Sequence, residues 1–66
     1  MDKSKRLIRR PAVLNVSGIE SNSTLYYLMN KGSFPLPVKI SERAVAWRES
    51  EVLDWIDSRE IALNKQ

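Results

Sequence analysis

Ser23, Thr24, Tyr27, Asn30 and Lys31 are the residues whose types and spacing could do chemistry, and that chemistry is recognition rather than bond making. Between them Leu25, Leu28 and Met29 recur at i, i+3 and i+4, which makes one apolar stripe on a helix. At about 100° per residue the five polar side chains fall on the opposite face. That face offers hydroxyls, an amide, one flat ring and one cation, and no carboxylate that would repel a polyanion. In a DNA major groove each residue has a use. Ser23, nearest the helix start, suits a phosphate held by backbone N–H groups. Thr24 offers a hydroxyl to a base edge or a methyl to thymine, Tyr27 stacks on sugar or on a thymine methyl, and Asn30 can bond adenine through two atoms. Lys31, at the helix end, suits a phosphate anchor. An ordinary solvated helix face accounts for the same residues, so the face needs a context.

The context is built by the elements around it. Ser21 or Asn22 can cap the N-terminus of this helix by accepting bonds from free backbone N–H groups, and Gly32 stops it. Upstream, Pro11 suits the first position of another helix, which spans Pro11–Ser17 with Val13, Leu14 and Val16 as its apolar positions and ends at Gly18. Ile19 points back to the core. Two short helices with a Gly-containing turn between them make a helix-turn-helix. Lys5-Arg6-Leu7-Ile8-Arg9-Arg10 precedes them as a short extended segment with Leu7 or Ile8 inward, and Arg9 and Arg10 join the candidate DNA contacts. Ser33-Phe34-Pro35-Leu36-Pro37 cannot be helical, because each proline forces the residue before it into extended geometry. Phe34 is expected to close the core. Val38-Lys39-Ile40 and Val45-Ala46-Trp47 read as a hairpin around Ser41–Ala44. It carries Lys39 and Arg43, with Arg48 where the chain leaves it, so it reads as a basic wing on the DNA backbone. With Glu42 beside Arg43, a solvated turn of mixed charge is the plainer alternative. A last helix is expected from Glu49 to about Leu63, with acids in its first turn and Val52, Trp55 and Ile56 facing inward. Trp47 and Trp55 are expected to share one core with Leu25, Leu28, Val52 and Ile56.

The predicted fold is therefore mainly α with a small β-hairpin: a winged helix-turn-helix of three helices plus wing. Sixty-six residues make one domain, 1–66, with 1–4 and 64–66 frayed. The chain has neither cysteine nor histidine, which removes disulfides, zinc sites and histidine-based catalysis. No Gly-rich phosphate loop is present, and the acids of the last helix are explained by its N-terminus, so neither an enzyme nor a cofactor is expected. No apolar run reaches the length of a membrane span and the N-terminus lacks the apolar stretch of a signal peptide. The expected place is the bacterial cytoplasm, with the nucleoid. Net charge is +3, unevenly spread: residues 1–48 hold nine basic and three acidic side chains, and residues 49–66 hold two and five. A basic body with an acidic last helix turns one side to phosphate and the other to water or a protein.

The residues also carry a family resemblance. Arg6-Leu7-Ile8-Arg9, Val13-Leu14, Ser17-Gly18-Ile19 and Ser23-Thr24-Leu25-Tyr26 resemble the first half of the AlpA family of phage-type regulators. Gly32-Ser33-Phe34-Pro35-Leu36-Pro37-Val38-Lys39-Ile40 is similar to that family's linker and first wing strand. Arg43 to Val52, followed by Trp55-Ile56, is similar to its most specific signature. The resemblance covers residues 6–59. It implies a fold similar to the MerR and excisionase winged helices, and transcriptional regulation tied to prophages or genomic islands. This chain departs from the family pattern in two places. The run from Gly18 to Thr24 is one residue longer, with Asn22 where the family commonly has arginine, and Tyr27 stands where a basic residue is frequent. Both changes weaken the pull on phosphate.

The expected partner is double-stranded DNA, with room for further copies of the chain on the same DNA, and no small-molecule ligand or membrane. Two other readings stay open: an excisionase-like architectural factor that bends attachment-site DNA, and a winged-helix protein-interaction module that binds no DNA. The acidic last helix and the loss of basic residues from the recognition helix motivate the second. Salt-dependent DNA binding separates it from the others.

Overall fold

The computed structural model describes residues 5–59. In chain order these form β1 (Leu7–Ile8), α1 (Arg10–Ser17), α2 (Asn22–Asn30), β2 (Val38–Ser41), β3 (Ala44–Arg48) and α3 (Glu49–Asp57). Three helices, a helical pair joined by a tight turn and a β-hairpin give the winged helix-turn-helix arrangement expected from the sequence.

The turn between α1 and α2 is made by punctuation residues. Gly18 takes φ 80° and its N–H donates to the Leu14 carbonyl, which ends α1 in a left-handed residue. Ser21 caps α2: its Oγ accepts from the Thr24 N–H at 3.2 Å and donates to Thr24 Oγ1 at 3.0 Å. At the far end Gly32 takes φ 78°, with its N–H on the Met29 carbonyl and the Ser33 N–H on the Leu28 carbonyl. These two bonds are the Schellman closure, so Lys31 lies just past the helix and Gly32 occupies the position that excludes most side chains.

The hairpin closes without a positive-φ residue, since both such residues in the described chain are glycines elsewhere. The two-residue link Glu42-Arg43 is therefore not one of the mirror-image turns that match strand twist. The mismatch is absorbed by a bulge: Lys39 pairs with Val45 and Ser41 with Ala44, so Ile40 is the extra residue. β1 is the element that the hairpin reading lacks. It pairs antiparallel with β3, Ile8 opposite Trp47 and Leu7 opposite Arg48, giving a three-stranded sheet in the order β1-β3-β2.

Ile8, Val13, Leu25, Phe34, Trp47 and Val52 make the buried cluster, one each from β1, α1, α2, the linker, β3 and α3. Leu14, Ile19, Leu28, Met29, Trp55 and Ile56 pack around it. Two expectations are corrected. Val16 is exposed, because it lies about 200° from Leu14 around the helix and both cannot face one core. The last helix ends at Asp57, not near Leu63. Ser58 Oγ and Arg59 Nε both donate to the Trp55 carbonyl, so side chains take over the acceptor that a further turn would have used. Residues 60–63 of the expected helix, and both expected frayed ends, lie outside the described residues.

Candidate nucleic-acid interface

The site is built on α2 and flanked by the sheet. Ser23, Thr24, Tyr27, Asn30 and Lys31 are all exposed, while Leu25 of the same helix is fully buried, so the helix turns its polar face outward. Tyr27 is 59% exposed, and the Lys31 ammonium sits 5.2 Å from the centre of its ring. That is cation–π distance, which holds the cation over the ring at the C-terminal end of the face. Thr24 has a second duty that its type did not announce. Its hydroxyl oxygen accepts the Ser21 bond of the cap, which leaves its hydrogen and its methyl for anything outside.

The basic residues divide into two groups. Arg9, the residue preceding α1, Arg10, its first residue, and Arg43, at the tip of the wing, line one cleft with Pro11, Tyr26, Val45 and Trp47. Val45 and Trp47 alternate along β3 and so share a face of the sheet, and Arg43, in the link before β3, lines the same cleft. Lys39 pairs directly with Val45 and lies on that face too. Arg48, one step out of phase, lines a different cleft with Pro35, Leu36, Pro37, Val38, Glu51 and Asp54, and its guanidinium is 4.0 Å from the Glu51 carboxylate. Of the expected wing contacts, the structure thus sets Arg43 in the cleft that Val45, the partner of Lys39, also lines, and sets Arg48 apart. Arg6 is likewise drawn to an acid, Glu49, at 3.8 Å.

Tyr26 is the residue that sequence reasoning missed. Its hydroxyl oxygen accepts from Arg10 Nη1 at 3.1 Å, joining α2 to the start of α1 across the first cleft. The available signal was its place beside Leu25, at the border between stripe and polar face, where a ring with a polar tip can lie half in and half out.

Four of the six described carboxylates lie on α3. Glu49 and Glu51 occupy the first turn of α3 and no acid lines the first cleft. Among the described residues no group of His, Cys, Asp or Glu is placed to hold a metal ion, and no helix is long and apolar enough to cross a membrane. The arrangement can therefore offer hydrogen bonds, ring faces and positive charge.

Comparison with known proteins adds two findings. A sequence model of the family described as prophage CP4-57 regulatory protein (AlpA) matches residues 6–60. The chain is also 42% identical over 55 residues to a protein of Enterobacteria phage P4 described as uncharacterized protein ORF88, an alignment covering 83% of this chain and 61% of the relative. The chain thus spans about three-fifths of the length of that curated relative. No solved structure matches it.

Proposed function

From the premise that the chain belongs to the AlpA family of phage regulatory proteins, we propose that it is a sequence-specific DNA-binding transcriptional regulator of prophage or genomic-island type. In this reading α2 enters the major groove and the wing lies on the adjacent backbone. An α-helix with its side chains is about 10–12 Å across, which matches a major groove about 12 Å wide. Thr24, Tyr27 and Asn30 read base edges. Ser23, Lys31, Lys39, Arg43, Arg9 and Arg10 take phosphates, and Arg48 adds less because Glu51 already partners it. Double-stranded DNA is the partner and the cytoplasm the place, with further copies free to bind alongside.

One observation carries this reading: the exposed, carboxylate-free face of α2 stands next to a cleft lined by three arginines and no acid, while four of the six described acids sit on α3. Protein recognition alone gives no reason for that separation of charge. Footprinting on the DNA flanking the protein's own gene, with attachment sites and any integrase promoter included, is the test. A discrete footprint that weakens steeply with salt is expected. Uniform weak binding, or none, defeats the proposal.

A second reading has its own support. The cleft around Pro35–Val38 is edged by Glu51 and Asp54, and Leu36 beside it is 64% exposed, a surface better suited to protein than to phosphate. If footprinting fails, the protein-interaction module is favoured. An excisionase-like role is separated from regulation by a circular-permutation bending assay on the footprinted site.

A further inference from the structure

We infer that the cleft between α1 and the wing is a single phosphate clamp, in which Arg9, Arg10 and Arg43 close on one backbone phosphate of duplex DNA and Tyr26 positions Arg10 and donates to the same phosphate. This rests on the DNA-binding reading and sharpens it. Sequence alone treats the arginines before α1 and the arginine of the wing as separate contacts.

Three observations carry the inference. The first is unbalanced charge. Arg6 and Arg48 each lie within 4.0 Å of a glutamate, whereas Arg9, Arg10 and Arg43 have no ion pair among the described residues and no acid lines their cleft. Guanidiniums kept together repel, and an anion between them converts that repulsion to attraction. The second is the wall. Pro11, Val45 and Trp47 complete the lining, and apolar walls with charge of one sign concentrate the field on whatever enters. The third is Tyr26. Its oxygen accepts from Arg10 Nη1 at 3.1 Å, which restrains a long side chain that would otherwise sample many rotamers. With its oxygen accepting, the phenolic hydrogen remains to donate, and a phosphate oxygen is a strong acceptor for it.

The occupant is a backbone phosphate of duplex DNA because of where the cleft lies. Tyr26 and Tyr27 are successive residues of α2, one lining the cleft and the other on the exposed polar face. Lys39 pairs with Val45, which lines the cleft with Arg43. A duplex seated on α2 therefore brings a strand edge to the cleft, and the clamp fixes the angle between helix and wing on the DNA.

A double-mutant cycle tests this on the footprinted duplex, titrated over a salt series, with melting curves confirming that these exposed substitutions leave the fold intact. Arg10→Ala and Arg43→Ala should each weaken binding about tenfold, as loss of a charge-assisted phosphate contact does. The double variant should lose well short of about a hundredfold, and its slope of log K against log salt should fall by about one phosphate, not two. Tyr26→Phe should weaken binding about threefold in the parent and by less in the Arg10→Ala background, where only its own bond to the phosphate is left to lose. Multiplicative losses with a slope change of two mean separate phosphates and overturn the clamp while leaving DNA binding standing. A parent that binds no duplex overturns both. Saturable binding of inorganic phosphate at micromolar concentration, abolished by Arg43→Ala, would make the cleft a small-anion site and also overturn the inference.

Discussion

The Trp55 indole N–H donates to the Ser33 carbonyl at 2.6 Å, tying α3 to the segment that leaves α2. The Trp47 indole does the same to the Pro35 carbonyl at 3.1 Å. Between these carbonyls Phe34 is buried, its ring edge-on to Trp55 with 4.7 Å between centres. The Ser33–Pro35 stretch has no regular structure of its own, so two tryptophans from different elements fix its path. The recognition helix is thereby held at a set position relative to the wing.

That clamp orders the stabilities of tryptophan variants. Trp47 is 1% exposed and in the buried cluster, whereas Trp55 is half-buried at its edge. Trp47→Ala should cost about 3–5 kcal/mol, enough to unfold most of so small a domain. Trp55→Ala should cost less. Trp55→Phe keeps a ring against Phe34 and loses the hydrogen bond and part of the ring that Arg59 covers, about 1–2 kcal/mol. Urea denaturation followed by circular dichroism checks the order. A Trp55→Ala variant less stable than Trp47→Ala would reverse it.

The turn glycines give a second ranking. An added Cβ at Gly18 or Gly32 meets no atom within 4 Å, so any cost comes from the positive φ alone. Gly18→Ala and Gly32→Ala should each lose about 1–2 kcal/mol, with Asn losing less and Val more. Thermal melting of the six variants settles it. A neutral Gly18→Val would show that the left-handed turn is not required between the two helices.

Much of this fold was legible because its boundaries are punctuated. Pro11, Gly18, Ser21 and Gly32 each act through their own backbone or cap chemistry, and the helices begin and end within two residues of them. Phe34 and Trp47 were readable as core. Other features were not. Leu7–Ile8 is too short for any period, and its pairing with β3 depends on a contact distant in the chain. The end of α3 is decided by Ser58 and Arg59 bonding one carbonyl, which competes with an apolar pattern that runs on to Leu63. At the candidate site the exposed face of α2 followed from helical period, as Leu25 inward and Tyr27 outward demonstrate. The meeting of Arg10, Tyr26 and Arg43 is tertiary, and no local spacing encodes it.

The wing offers a third prediction. Lys39 pairs with Val45, which lines the arginine cleft, and Arg48 is partnered by Glu51. Lys39→Ala should lower the salt slope by about one and weaken specific and random duplexes alike. Arg48→Ala should change the slope by less, since a charge already neutralised by a neighbour releases fewer counterions. Fluorescence-anisotropy titrations at several salt concentrations measure both. A larger slope change for Arg48→Ala would place the DNA over the Pro35–Val38 cleft instead.

The last prediction concerns which side chains read sequence. Tyr27 and Asn30 are exposed on the outer face of α2, and neither supports the core or the cap. Tyr27→Ala and Asn30→Ala should therefore leave the melting temperature near that of the parent. On the cognate site each should lose about 1–3 kcal/mol, and on scrambled duplex little, because base-edge contacts exist only where the base matches. Lys31→Ala should weaken both duplexes, since a phosphate is present in either. The Lys31 ammonium over the Tyr27 ring adds a coupling. With the ring removed the cation loses the surface that holds it, so Tyr27→Ala should also reduce slightly the binding of scrambled DNA, and Tyr27→Phe should not. Thr24 is a harder test, because its hydroxyl also accepts the Ser21 bond. Thr24→Val removes that hydroxyl and keeps a methyl group, so a loss confined to the cognate site at unchanged melting temperature identifies the hydroxyl as a base contact. If Tyr27→Ala and Asn30→Ala both bind the cognate site as tightly as the parent, α2 is not the reading helix.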